Sequence, residues 1–272
     1  MWFWHRLRRL RFKWHRFNIY FRTLTEANTI DRLTDFTNCK NPVLILYGFG
    51  ATRRSLHILE SRLREDGFGV FSINLGGLFD LFNTAPIDRL ALLVAAKIEN
   101  LCRRYKLPRF SIIGYSKGGL IGRYYLTHLD GQKRVHTLIT LATPHRGSPW
   151  LLLSYPLLIG FVSKGIRQMI PKSKFLRRLS KKHFPDGVYV ASIYSDRDKT
   201  TPSKFCRLPE RSDKSVITNV LIPQLYHSDF VIKQRAYQEI HKHLTAGIQF
   251  AVRYPLHTAG GQAVPHEVSG SS

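Results

Sequence analysis

Phe110-Ser111-Ile112-Ile113-Gly114-Tyr115-Ser116-Lys117-Gly118-Gly119 is a short β-rich run ending at a glycine, with a serine and a further glycine following at two-residue steps. A helix-like segment, Leu120 to His128, comes next. This G-x-S-x-G spacing predicts a sharp strand-to-helix turn that lifts the Ser116 Oγ above a sheet edge. Crowding at such a turn leaves no room for a Cβ at Gly114 or Gly118. Ser116 would then sit at a helix N-terminus, where unpaired N–H groups and the dipole favour developing negative charge. A glycine-rich turn with an ordinary surface serine has the same spacing, so the rest of the chain must discriminate.

Outward from this turn, apolar runs alternate with helical periodicity. Asn41-Pro42 is a turn signal, and Val43 to Leu46 is continuously apolar, as in a buried parallel strand. It ends in Tyr47-Gly48-Phe49-Gly50, and Thr52 to Arg64 follows with helical spacing. Gly69 to Ile73 reads as a second strand. Pro86 to Tyr105, with Ile87, Leu90, Leu93, Ile98 and Leu101, reads as a helix with one buried face. Val135 to Leu141 is another strand, running into Thr143-Pro144-His145-Arg146-Gly147. Val188 to Tyr194 and Ser215 to Leu221 are later strands, and Asp229 to Thr245 is a closing helix. The alternation predicts an α/β chain with a doubly wound, mostly parallel sheet spanning about residues 40–250. Ligands in such sheets bind off the C-terminal strand edges, where Phe49, Ser116 and Thr143 would meet.

Composition narrows the classes. A chain of 272 residues, 43% of them hydrophobic, can bury one substantial core. A net charge of +24 points to an anionic partner, such as a membrane surface or nucleic acid. Cys39, Cys102 and Cys206 are scattered and odd in number, so they imply no disulfide framework and favour a reducing compartment. No run of about 18 apolar residues reads as a transmembrane helix. The basic N-terminus lacks the apolar core and small-residue cleavage site of a signal peptide.

The YGFG, GYSKGG and LATPHRGS segments, each after a predicted strand and in this order, resemble those of the α/β-hydrolase lipase and esterase family. Bacterial triacylglycerol lipases carry HG-F/L/M-G, GHSMGG and TPHRGS at the corresponding places, and the resemblance runs from about Pro42 to His243. It implies an α/β-hydrolase fold and a serine nucleophile at Ser116. One departure is Tyr47, where the family usually has histidine; altered loop packing is expected there.

A serine hydroxyl needs a base to take its proton and a third group to orient that base. In this fold the chain order is serine, acid, histidine. The acid should follow Val188 to Tyr194, in Ser195-Asp196-Arg197-Asp198-Lys199-Thr200-Thr201-Pro202. The family pattern of an aspartate four residues before a proline selects Asp198, with Asp196 as the alternative. His227, in Leu225-Tyr226-His227-Ser228-Asp229, is the expected base. His145 is expected to be structural or near an acyl pocket, and His241 and His243 to face away from the site. The resemblance points to the backbone N–H groups of Phe49 and Lys117 as the oxyanion hole. No metal or organic cofactor is expected.

Three segments lie outside this core. Residues 1–24 carry Arg6, Arg8, Arg9, Arg11, Lys13, Arg16 and Arg22 without an acid, around a stripe of Phe3, Leu7, Leu10, Trp14, Phe17 and Phe21. Such a basic amphipathic arm predicts docking on an anionic membrane surface. Packing on the chain's own core or a partner helix, and a grip on single-stranded nucleic acid, are its other readings. Residues 147–187 are too long for a plain loop and predict a helical lid, apolar from Trp150 to Ile170 and basic from Ser163 to His183. The other reading of that insertion is a pair of helices closing the core. Residues 255–272 are small and polar, and predict a disordered tail.

Together these features predict a hydrolase of lipid carboxylic esters, cytoplasmic and peripherally bound to a membrane, without specific nucleic-acid binding. Acyl transfer by the same triad, and a non-catalytic protein that binds a membrane or partner, are the alternatives.

Overall fold

The computed structural model describes residues 39, 41–49, 51, 53–73, 75, 85–154, 163–209 and 215–255. The 1–24 arm, the middle of the insertion (155–162) and the tail from 256 lie outside the described residues. The strands are β1 (Val43–Leu46), β2 (Val70–Ser72), β3 (Phe110–Tyr115), β4 (Val135–Leu141), β5 (Tyr189–Tyr194) and β6 (Val216–Leu221). They form one sheet in the order β2-β1-β3-β4-β5-β6, with every neighbouring pair parallel. The inner strands are buried at every residue, and β1 is apolar throughout; β6, at an edge, is half-exposed.

The helices are α1 (His57–Glu65), α2 (Ile87–Tyr105), α3 (Lys117–His128), α4 (Lys164–Gln168), α5 (Lys174–Lys181), α6 (Ser203–Cys206) and α7 (Gln234–Arg253). After β2 the strand order turns back past β1, so the right-handed crossovers carrying α2 and α3 leave the sheet face used by α1. Accordingly α2 packs on α3. On the other face α7 returns to α1: Tyr237 Oη donates to the Arg62 carbonyl at 3.0 Å, and Phe68 meets His241 edge-on at 5.8 Å. The reversal lies between β1 and β3, and ligands bind at the C-terminal edge of such a switch point. Phe49 and Ser116 follow those two strands.

Some sequence expectations shift. The buried face of α2 is Ile87, Leu90, Ala91, Val94, Ile98 and Cys102, while Leu93 is exposed. The helix burying one broad stripe against α3 uses Ala91 and Val94, one position to either side of Leu92 and Leu93. The closing helix begins later than expected: a 3-10 turn over His227–Val231 comes first, and extended backbone at Lys233 separates it from α7. It then runs on to Arg253, because Ala251 is buried and Phe250 packs on Tyr189 at 6.2 Å. In the insertion, α4 and α5 bury Ile166, Phe175, Leu176 and Leu179, with their basic residues outside the core. Phe175, Leu176 and Leu179 of α5 join the main hydrophobic core.

Candidate active site

Ser116 has φ 52 and ψ −119, a conformation that costs an L-residue roughly 1–3 kcal/mol. Close packing enforces it. A Cβ on Gly118 would stand 2.0 Å from the Leu46 carbonyl oxygen, and one on Gly114 would stand 2.4 Å from the Gly119 Cα. Because both obstacles are backbone, Gly118→Ala is expected to push α3 off β1. A loss of about 1–3 kcal/mol in urea unfolding, with a fall in Tm of several degrees, checks this.

The turn after β1 lies against the same elbow. A Cβ on Gly48 would fall 2.7 Å from Ser116 Cβ and 3.3 Å from the Lys117 nitrogen. The turn that carries Phe49 is therefore packed against the start of α3, where Lys117 follows the serine. The Ser116 side chain makes no capping bond to α3.

Asp198 and His227 meet directly. His227 Nδ1 lies 2.7 Å from Asp198 Oδ2, with the carboxylate buried and the ring one-fifth exposed. Asp198 Oδ1 accepts the N–H groups of Thr200 and Thr201 at 2.9 and 3.1 Å, and Thr201 Oγ1 donates to Oδ2 at 2.7 Å. Burial pushes the Asp198 carboxyl up, but the His227 bond and charge, with the Thr201 bonds, outweigh it and hold the group below its usual value. Asp196 is exposed and serves the loop instead. It accepts the Gln224 N–H at 2.8 Å, which leads the effects lowering its carboxyl, and so braces the segment before His227. Asp198 is thus the carboxylate that reaches the imidazole.

Tyr115 brings this pair to the elbow. Its ring lies 5.1 Å from the His227 ring, and its hydroxyl donates to the His227 carbonyl at 3.2 Å. Among the described residues no hydrogen bond joins Ser116 Oγ to the imidazole. Such contacts are commonly loose before substrate arrives.

The remaining histidines are elsewhere. His145 is buried, pairs with Thr140 Oγ1 at 3.0 Å, and burial with two neighbouring arginines keeps it well below the usual imidazole range, hence neutral. His243 bonds Tyr189 Oη at 2.6 Å near the start of β5, and His241 lies 3.7 Å from Asp66; both are remote from the strand ends carrying Ser116 and Asp198.

Three side-chain roles went unread in the sequence. Thr201 buttresses Asp198, a role that a hydroxyl three residues after an aspartate could have suggested. Tyr115 and Lys117 occupy the two variable places of the elbow, and both turn inward. The Lys117 side chain is buried and donates to the Ala85 carbonyl at 2.6 Å; desolvation pushes its ammonium down to about 7. That bond ties the elbow to the start of α2. There Gln168 of α4 accepts the Ile87 N–H at 2.6 Å and donates to Asp88 at 2.8 Å.

Comparisons with known proteins agree with this architecture. The mature form of the Bacillus licheniformis lipase BlEst2 superposes with a TM-score of 0.63 at 16% identity, covering 79% of this chain and 96% of that one. A Paleococcus ferrophilus monoacylglycerol lipase gives 0.57 at 15%, over 77% and 94%. A bromoperoxidase from Bacillus anthracis gives 0.54 at 14%, over 76% and 92%. At such identities the likeness shows the α/β-hydrolase fold alone, which hosts more than one chemistry. No curated protein matches in sequence. A family model described as palmitoyl protein thioesterase matches residues 42–201, more than half of the chain and the whole stretch from β1 through the elbow to Asp198 and Thr201. This lipase- and esterase-like α/β-hydrolase chain belongs to the palmitoyl protein thioesterase family.

Proposed function

We propose that the chain is a serine hydrolase that cleaves carboxylic acyl esters of lipids. Ser116 Oγ attacks the acyl carbonyl while His227 takes its proton, and Asp198 steadies the resulting imidazolium. The N–H groups of Phe49 and Lys117 hold the oxyanion. Collapse expels the alcohol, protonated by His227, and leaves an acyl-Ser116. Water, deprotonated by His227, then releases the carboxylic acid and restores the serine. The observation that carries this reading is the 2.7 Å bond from His227 to buried Asp198, beside a serine held at positive φ.

A second reading, hydrolysis of an acyl thioester, is favoured by the family match over residues 42–201. The same residues serve it, with a thiolate leaving in place of an alkoxide. Trp150 and Leu152, exposed at the start of the insertion, offer an apolar approach for an acyl chain. In this proposal the 1–24 arm and the basic face of the insertion hold the enzyme on an anionic membrane surface.

A fluorophosphonate probe, with p-nitrophenyl esters of short and long chains and a matched acyl thioester, tests the chemistry. Labelling of the wild type but not of Ser116→Ala is expected; equal labelling of both would remove Ser116 from the mechanism. The ester-to-thioester ratio of kcat/KM separates the two readings. Tyr115→Ala, which removes the ring from beside His227, should lower kcat about 10-fold with little change in KM, because it displaces the base without touching bound substrate. Steady-state kinetics over the same esters check this.

A further inference from the structure

A surface cavity of about 420 Å³ is lined by Arg146, Lys204, Arg207, Leu208 and Pro209. Arg146 belongs to the loop after β4, and the other residues to α6 and the segment beyond it. The two halves are joined by the Arg146 N–H, which donates to the Phe205 carbonyl at 2.9 Å. The far wall is pinned as well: Asn219 of β6 makes two 2.9 Å bonds to the backbone of Leu208, and Ser192 Oγ donates to the Cys206 carbonyl at 2.7 Å. The cations are therefore mounted on fixed backbone.

No carboxylate lines this cavity among the described residues. Lys204 Nζ lies 5.3 Å over the Phe205 ring. Arg123, buried nearby, feels the like charge of Arg146, and its Nε has no hydrogen-bond partner. Three cations converging on one concavity, with apolar Leu208 and Pro209 as a wall, suit a small organic anion. An arginine fork matches the geometry of phosphate oxygens, and a lysine supplies a point charge.

The helix that lines the cavity is tied to the Asp198 loop: Cys206 Sγ of α6 donates to the Thr201 carbonyl at 3.3 Å, and Thr201 Oγ1 bonds Asp198. Thr143 packs on the first turn of α3, where a Cβ on Gly119 would stand 2.1 Å from its Oγ1. Arg146 is three residues further on, so their Cα atoms lie within about 11 Å. Lys204 is six residues beyond Asp198, a reach of at most about 22 Å. We infer that this cavity is a subsite for a phosphate group carried on the non-acyl part of the substrate, beside the Ser116 centre. The inference rests on the hydrolase reading above and adds a substrate class to it: acyl esters whose leaving alcohol bears a phosphate.

The test uses two soluble esters that differ only in that group, 1-octanoylglycerol and 1-octanoylglycerol 3-phosphate, with the full chain as wild type, Arg146→Ala/Lys204→Ala and a charge-matched control, Arg103→Ala/Arg235→Ala. The wild type is expected to favour the phosphate ester by about 10-fold in kcat/KM, the order of one or two charge-assisted hydrogen bonds. That preference should disappear in the cavity variant, persist in the control, and shrink as salt rises from about 20 to about 200 mM. Equal rates on both esters by an active wild type would overturn the subsite and leave the hydrolase reading standing. A preference that survives in the cavity variant would also overturn it.

Titration of the Ser116→Ala chain with glycerol 3-phosphate and with inorganic phosphate, by calorimetry, reads the site without turnover. Binding of glycerol 3-phosphate lost in a Ser116→Ala/Arg146→Ala/Lys204→Ala chain supports the subsite even if neither ester is hydrolysed, in which case the hydrolase reading alone fails. Binding unchanged by those substitutions overturns it. Equal affinity for inorganic phosphate would make the cavity a free-phosphate site, and loss only of DNA retention in the variant would make it a nucleic-acid contact; either outcome overturns the substrate assignment.

Discussion

Ser116→Ala is expected to lower kcat by roughly 10⁵–10⁶-fold, the loss seen when a triad nucleophile is removed outright. The fold should be indifferent to the change. Ser116 Oγ caps no helix and takes no part in a hydrogen bond among the described residues, so its removal leaves no buried partner unsatisfied. The Cβ that packs against Gly48 is retained, and so is the backbone turn. Stability within about 0.5 kcal/mol of wild type is therefore expected in urea unfolding. The combination is diagnostic: a large kinetic loss with an unmoved unfolding curve assigns Oγ to chemistry. The residual rate should exceed that of free water, because the N–H groups of Phe49 and Lys117 remain in place. A variant retaining more than about a tenth of the wild-type kcat would place the nucleophile elsewhere.

The elbow was legible because it rests on local constraints, whereas the expected order serine, aspartate, histidine came from the fold that the motifs imply. Gly114 and Gly118 are dictated by close backbone packing around one turn, and a continuous apolar run marks a strand covered on both faces. The choice of Asp198 over Asp196 needed the resemblance as well, and the structure gives its physical basis: Asp198 bonds the imidazole, while Asp196 is occupied with Gln224. The inward turn of Tyr115 and Lys117 was not legible. Tyr115 meets a residue 112 positions away, and Lys117 finds its acceptor 32 positions back, so neither partner shows in local spacing. The same holds for α7, whose length past Thr245 is set by Phe250 packing on Tyr189 of a central strand. The faces of α2 were misread at Leu93 for a related reason: two adjacent leucines, Leu92 and Leu93, are exposed on a helix whose buried stripe is partly alanine. Apolar periodicity identifies a helix more securely than it identifies which leucines are inside.

These distant contacts also link the parts of the site. The Asp198 loop braces His227, Tyr115 carries that brace to the elbow, and Lys117 carries the elbow to the start of α2. Gln168 extends the chain of bonds from α2 into the insertion. A displacement of α4 would therefore reach the backbone beside Ser116 through these named contacts.

Asp198→Asn is expected to be nearly as damaging as loss of the serine, with kcat lower by about 10³–10⁴-fold, and the reason is the direction of one hydrogen bond. The substituted amide keeps its carbonyl oxygen on the Thr200 and Thr201 N–H groups, where Oδ1 of Asp198 is now. Its nitrogen then takes the place of Oδ2, facing His227 Nδ1 and Thr201 Oγ1. An amide N–H there forces Nδ1 to accept, so the ring proton moves to Nε2. That nitrogen can no longer take the proton of Ser116, although every heavy atom stays in place. Stability provides a second, independent readout. The Asp198 carboxyl sits below its ordinary value in the folded state, because the His227 and Thr201 bonds outweigh burial. Its contribution is complete above the unfolded value of about 3.9 and fades as pH falls through the folded one. The gap in unfolding free energy between wild type and Asp198→Asn should hence narrow as pH falls from about 5 to about 3. Urea titrations followed by circular dichroism across that range, with kcat measured on the same samples, check both halves; a gap that stays open in acid would mean the carboxylate is not the charged partner of His227.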